Sequence, residues 1–373
     1  MREVLAVIER AGMISFAGGL PAPETFPDLD LAALPRSCLQ YGPTEGEAQL
    51  RSAIAERLGA LGLVCSPEQV LILSGSQQGI DLAAKLFIDS GTPVAVESPT
   101  YLAALQAFRF FGAALEVLRI GEPCAGMDGE APPAFVYAIP TFQNPTGHCY
   151  TAGERAALAA ACDRLAVPLF EDDPYRDLAY EPCERTPVCA QLKRAPWIYQ
   201  SSFSKCFAPG LRLGFLAASP DLMPLLVRLK QAADLHSSRI SQWLALELLR
   251  NPDTPERLRA NVAVYRRRRD EFAAALGRHF GGLAAWHTPP GGLFFWLRLC
   301  EPLDTRQLFT PAIDAGVAFM PGELFHPGRP AASGTLRLNF SHATAAEADR
   351  GLAILADLLR RAICSGAGRV RPR

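Results

Sequence analysis

The sequence predicts an α/β protein: a large three-layer αβα domain on a mostly parallel sheet, with a smaller α+β domain beside it. Three observations carry this reading. The 373 residues exceed one ordinary hydrophobic core, so a large domain with a companion is expected. From about Gln69 onward, short apolar runs alternate with helical patterns, the mark of strands covered by helices. After about Ser241 the alternation gives way to long helices and a few short strands.

Taken in order, residues 1–41 contain no sheet of their own and are expected to pack with the smaller domain. Residues 42–240 form the large domain. There VLILSG leads to the helix IDLAAKLFID, PVAVES to YLAALQAFRFF, and AFVYAIP to ERAALAAACDRL; VPLFED, WIYQSS and LGFLAAS follow, and then a helix starts near Asp221. Apolar strands that alternate with helices imply parallel pairing, because a parallel connection needs a crossover. Residues 241–373 complete the smaller domain. They hold the helices WLALELLR and ERLRANVAVYRRRRDEFAAALGRHF, the strands GGLFFWLRL, VAFMPG and TLRLNF, and the last helix AAEADRGLAILADLLRRAI.

The bulk numbers narrow the function classes. Thirty-seven Lys and Arg against 38 Asp and Glu leave a net charge of -1, so no global field recruits nucleic acid or an anionic membrane. The run Arg266 to Arg269 sits in a helical pattern followed by Asp270 and Glu271 and reads as a solvated face. Ten cysteines show no CxxC pair and no Cys/His cluster at ligand spacing; no metal is expected, and reduced thiols fit a cytoplasmic protein. The segment MREVLAVIERAG carries charges within its apolar stretch, and no apolar run reaches spanning length, so a soluble protein with small-molecule ligands is expected.

The chain has four lysines, Lys85, Lys193, Lys205 and Lys230. Lys85 and Lys230 fall in helical patterns and Lys193 in a polar loop, where solvation is the default. Lys205, in YQSSFSKCFAPGLRLG, follows a strand inside a turn that ends in Pro209-Gly210, so it is placed to project into a crevice beyond the strand ends. A lysine amine there is suited to condense with a carbonyl cofactor, and pyridoxal 5'-phosphate bound in this way calls for an acidic partner at the ring nitrogen. In VPLFEDDPYRDL, strand alternation puts Asp172 on the side of Phe170 and opposite Glu171. By itself such an acidic cluster is more often a loop. The turn in VLILSGSQQGIDL brings Ser76 and Gln77 to a helix N-terminus, where free N–H groups receive an anion, and Arg212 adds a fork of donors. Tyr101 is placed to stack on a ring, Asn144 is held in Asn-Pro-Thr-Gly, and Tyr175 is placed to meet a phenolate oxygen. Each is ambiguous alone.

Together the stretches SFAGGLPAPETFP, LQYGPTEG, LSGSQQGIDLAAKLF, VESPTYLAALQAF, FQNPTG, EDDPYRDL, SSFSKCFAPGLRLG, KQAADLH, PPGGLFFWL, VAFMPG and LRLNF resemble, in order and over nearly the whole chain, the fold type I pyridoxal-phosphate aminotransferases of class I/II. The likeness is to the 2-aminoadipate/kynurenine aminotransferase-like branch, which includes the effector domains of MocR-type regulators. The resemblance implies Lys205 as Schiff-base lysine and proton shuttle, Asp172 as pyridinium partner, and Asn144 and Tyr175 on the ring hydroxyl oxygen. It implies Tyr101 stacked on the ring, Ser76, Gln77, Ser202 and Arg212 around the phosphate, and Tyr41 reaching the phosphate of a partner subunit in a homodimer. Arg337 matches the arginine that grips the substrate α-carboxylate, beside Asn144. Gly18 lies in the segment that closes over substrate in relatives, and Arg2 falls where some relatives bind an acidic side chain. The expected activity is ping-pong transfer of an amino group between an L-amino acid and a 2-oxo acid, in cytoplasmic amino-acid metabolism and biosynthesis. The alternatives are another pyridoxal-phosphate reaction of lyase, decarboxylase or oxidase type, or a non-catalytic ligand-sensing domain. No helix-turn-helix pattern is read ahead of the fold, so DNA is not an expected partner.

Overall fold

A computed structural model describes residues 12–120, 132–301, 303–328, 330 and 333–365. Its centre is a seven-stranded sheet of β2 (Val70–Leu73), β3 (Pro93–Glu97), β4 (Ala114–Leu118), β5 (Val136–Ala138), β6 (Leu169–Asp172), β7 (Trp197–Ser202) and β8 (Gly214–Ala218), in the order β2-β8-β7-β6-β5-β3-β4. All neighbours run parallel except β8, which is antiparallel to both β2 and β7.

Period-two alternation splits the side chains of this sheet between two cores. Val70, Ile72, Leu169, Phe215 and Ala217 face one side, against the helices α1 (Ala48–Ala60) and α4 (Ala152–Leu165). Leu71, Leu73, Phe170, Leu216 and Ala218 face the other, against α2 (Ser76–Phe87), α3 (Leu102–Phe110) and α5 (Met223–Asp234). Three layers result, and both faces being covered explains why the strands read as unbroken apolar runs. Only β4, at the sheet edge and half exposed, departs from that signature, and the sequence reading passed it over.

The helices α6 (Arg239–Arg250) and α7 (Thr254–Phe280) lead to a second core. The expected division at 240/241 falls at the start of α6, whose Ala245, Leu246 and Leu248 share a core with the large sheet. Beyond it, β9 (Ala284–Trp286), β10 (Phe294–Leu299), β12 (Met320–Pro321) and β13 (Thr335–Asn339) form an antiparallel sheet in the order β12-β13-β10-β9. It is packed by α7 and α8 (Ala345–Ser365) through Phe272, Leu276, Leu352 and Leu355. The amino-terminal segment joins this unit: β1 (Ile14–Ser15) pairs parallel with β11 (Val317–Ala318), and Phe16 packs edge-on against Phe272. VAFMPG is therefore two strands, not one. Val317 and Ala318 pair with β1, the buried Phe319 turns the chain, and Met320 starts pairing with β13.

Two solvated readings are corrected. Lys230 is fully buried, because its Nζ donates to Asp234, Gln78 and Ser237 at 2.8–3.0 Å, so a neighbouring carboxylate and two further acceptors replace water. The arginine run on α7 is solvated only in part: Arg266 and Arg267 are exposed as expected, whereas Arg268 is half-buried and Arg269 buried. Arg266 and Arg269 pair with Glu181, Arg268 pairs with Glu24, and the buried Arg269 lies over the Tyr180 ring. Among the described residues no helix is long and apolar enough to cross a membrane.

Candidate active site

The strands deliver the candidate residues to one edge of the large sheet. Beyond β2 the chain turns at Gly75 into α2, whose first residues are Ser76 and Gln77. Gly75 has φ +85°, and a Cβ there would stand 2.6 Å from Nη2 of Arg212. The position therefore needs glycine both for its backbone and for the guanidinium above it. Arg212 reaches this edge because β8 runs antiparallel, which puts its beginning beside the ends of β2 and β7. The unpaired N–H groups of a helix start, the Ser76 hydroxyl and an arginine make a cradle with anion chemistry. Ser202, the last residue of β7, accepts from the Ser204 N–H at 3.1 Å.

Asp172 ends β6 and is buried. Burial pushes its carboxyl up to about 6, opposed by hydrogen bonds from Gln200 and Tyr137. Its neighbours have other partners: Glu171 accepts from the Cys189 N–H, and Asp173 pairs with Arg176 at 2.6 Å. Alternation along the strand has thus sorted the acidic run, and of the three only Asp172 lines the cavity.

Lys205 lies across the same cavity, its Nζ donating to the Gly19 carbonyl at 2.7 Å. Burial, with smaller contributions from Arg337 and Arg212, pushes its ammonium down to about 8, which favours the neutral amine relative to a solvated lysine. Tyr101 stands at the start of α3 with its hydroxyl 3.5 Å from Gln77 Oε1, and burial raises its phenol to about 12. Burial likewise raises the Tyr175 phenol.

Arg337, on β13, donates through Nη1 to Asn144 Oδ1 at 2.8 Å and through Nη2 to the Ala17 carbonyl. Its guanidinium is held between the rings of Phe294, 4.2 Å from the centroid, and Phe325, at 4.9 Å. The buried Nε has no hydrogen-bond partner among the described residues, and burial lowers the group to about 10. A buried donor in want of an acceptor suits a carboxylate ligand.

These side chains line one cavity of about 240 Å³. Ser76, Gln77, Tyr101, Asn144, Asp172, Tyr175, Ser202, Lys205, Arg212, Arg337 and Gly18 are all on its wall. Tyr41 is not. It is 76% exposed, with its ring against that of His236. Arg2 lies outside the described residues. The sequence reading missed Phe294 and Phe325, which flank Arg337, and Tyr137 and Gln200, which hold Asp172. Phe294 stood inside the quoted PPGGLFFWL and Phe325 outside every quoted stretch, and nothing local tied either to an arginine; Tyr137 and Gln200 looked like ordinary strand residues. The donor set fits a phosphorylated pyridine aldehyde: an anion cradle closed by Gly75 and Arg212, a buried carboxylate for a ring nitrogen, an aromatic ring, and an amine of lowered basicity.

The model of the family described as aminotransferase class I and II matches residues 14–355. The chain is 38% identical over 359 residues to a 2-aminoadipate transaminase of Thermus thermophilus, covering 91% of this chain and 88% of that protein. It is 34% identical over 380 residues to aromatic-amino-acid aminotransferase 1 of Thermococcus litoralis, covering 96% and 91%. A crystal structure of the α-aminoadipate aminotransferase of Thermus thermophilus, complexed with N-(5'-phosphopyridoxyl)-L-leucine, superposes with a TM-score of 0.88 at 36% identity, covering 98% of this chain and 95% of that one.

Proposed function

Since the chain belongs to the class I and II aminotransferases and is a pyridoxal-phosphate-dependent transaminase of fold type I, we propose that Lys205 is its cofactor lysine and proton shuttle, working with Asp172 and Arg337. The observation that carries this reading is the meeting of an amine of lowered basicity, a buried carboxylate and a buried guanidinium in one cavity. Ser76, Gln77, Ser202 and Arg212 would hold the phosphate, Asp172 the ring nitrogen, Asn144 and Tyr175 the ring hydroxyl oxygen, and Tyr101 the ring face. When bound there, the cofactor supplies an electron sink for the charge left when a proton leaves the substrate Cα. Arg337 binds the α-carboxylate in a fork and so fixes which Cα bond faces Lys205. The neutral Lys205 amine takes the Cα proton and returns it one step away, as the base and then the acid of the transfer. Gly18 and Gly19 wall the cavity and exclude water above the reacting atoms.

Apart from Ser204, the walls left after these assignments are apolar, among them Leu20, Leu102, Ile139, Met320 and Phe325. They support amino donors with an apolar or aromatic side chain; a role for Arg2 toward acidic side chains is a further part of the proposal. In the test, the loaded enzyme receives one amino donor and no acceptor. Transamination converts the bound cofactor to its pyridoxamine form and releases one equivalent of 2-oxo acid. Release of ammonia or carbon dioxide instead would mark a different reaction.

Arg337→Lys is expected to lower kcat/KM for all amino donors by a similar factor of about 10–150, the worth of roughly 1.5–3 kcal/mol in a charged hydrogen-bonded pair. A change of rank order among donors, with the best one unaffected, would mean that Arg337 reads the side chain.

A cytoplasmic homodimer serving amino-acid biosynthesis completes the proposal. Exposed Leu31, Leu39 and Tyr41 support a partner surface, with Tyr41 reaching the neighbouring phosphate site. Mixing Tyr41→Phe and Lys205→Ala chains, each impaired alone, should restore part of the activity by giving heterodimers one intact site. An active enzyme that sediments strictly as a monomer contradicts this. The two-unit division, 42–240 against 1–41 with 241–373, is likewise proposed, and the pairing of β1 with β11 supports the joining of the chain's two ends.

A further inference from the structure

We propose that Tyr137 and Gln200 are positioning residues of the transamination, two strand-borne donors that grip both oxygens of Asp172, and that Gly79 is the clearance that lets Gln200 do so. The inference rests on the reading of Asp172 as partner of the ring nitrogen.

Asp172 on β6 lies directly opposite Gln200 on β7, and Gln200 Nε2 donates to Oδ1 at 3.0 Å. On the other flank Tyr137 of β5 pairs with Phe170, two residues before Asp172 on the same strand face, and its hydroxyl donates to Oδ2 at 2.7 Å. Neighbouring strands thus fix the carboxylate from both sides, with both donor residues fully buried. The Tyr137 ring is itself packed edge-on against Phe108 and Phe170.

A carboxylate taken out of water without donors gains a proton, and a neutral acid no longer balances a pyridinium charge. Tyr137 and Gln200 oppose that tendency in Asp172, which burial drives upward. They also fix the plane of the carboxylate and so the direction it offers to a ring nitrogen.

The third member is found by a steric argument. Gly79 sits in the interior of α2, where glycine is unfavourable relative to alanine, so its presence points to a packing demand. A Cβ at Gly79 would lie 1.9 Å from Gln200 Oε1, an oxygen that is buried and has no hydrogen-bond partner among the described residues. The amide is thereby pressed between the helix and Asp172, with its donor end toward the carboxylate.

The test uses loaded enzyme with Tyr137→Phe and Gln200→Met, which keep shape and remove one donor each, and Asp172→Asn as reference. Loss of a donor raises the carboxyl's proton affinity, so activity should be lost at higher pH as pH falls. The acid limb of kcat is expected to move up by about one pH unit in each variant, with kcat down about tenfold and KM for the amino donor within about twofold. The protonated-carboxyl infrared band, identified against Asp172→Asn, should emerge at a pH higher by a similar amount, which a merely structural role would not produce. Gly79→Ala, by displacing the amide, should move limb and band in the same direction. If any one variant does not fold, the other two carry the test. Folded, cofactor-loaded variants whose acid limb and band stay at the wild-type pH overturn the inference. Full activity of Asp172→Asn would instead remove the reading on which it rests.

Discussion

Replacing Lys205 by alanine is expected to leave a folded protein whose turnover falls by roughly two to four orders of magnitude, the range for a positioned acid-base group. Among the described residues the side chain's one hydrogen bond is to the Gly19 carbonyl, so its removal relieves a desolvated amine and takes little from the core. The visible absorbance of lysine-bound cofactor should vanish, and borohydride should fix no adduct. The other lysines have no route to replace it, Lys193 being exposed and outside the cavity lining. Lys85 pairs with Asp81 on α2, and Lys230 is buried against Asp234. A borohydride-stable lysine adduct in the variant would move the assignment elsewhere. Added primary amines should recover part of the rate if the missing function is proton transfer.

Asp172→Asn is the second large effect. The amide keeps the shape and is expected to retain cofactor, while kcat falls by about 10²–10³, the usual consequence of removing one fixed electrostatic group from a water-excluded site. The loss should fall on kcat more than on the amino-donor KM if, as proposed, Asp172 serves the ring and Arg337 the substrate carboxylate. Without cofactor, burial pushes this carboxyl up to about 6, so its charge is present above that pH and is lost as pH falls through it; a cationic ring nitrogen beside it stabilises the charge and moves the loss to lower pH. The wild type should therefore show an acid limb that the asparagine variant lacks. Near wild-type rates, or an unchanged acid limb, would contradict the role.

The parts legible in the sequence are those with a local cause. Strands β2, β3, β5, β6, β7 and β8 announced themselves as short apolar runs bounded by small or turn-forming residues, and their alternation with helices gave the layered class. Lys205 stood out because lysine is scarce in this chain and this one follows a strand in a turn. Period-two alternation was enough to separate Asp172 from Glu171. Less legible were β4, whose edge position leaves its pattern mixed, and VAFMPG, whose halves pair with different sheets.

By itself, then, the sequence determined the class of fold and the chemistry carried at each strand end, because both follow from side-chain periodicity and functional groups within a few residues of one another. Only the tertiary structure decided how the groups meet. Lys205 reaches Gly19 across 186 positions and Arg337 reaches Asn144 across 193. Whether a polar side chain is solvated or buried against a partner also depends on distant elements: Lys230 and Arg269, read as solvated, are enclosed, while Tyr137 and Gln200, read as ordinary strand residues, meet on Asp172. Local pattern sets which face of a strand a residue takes. What that face meets is set by sheet order and register, which are long-range outcomes of packing.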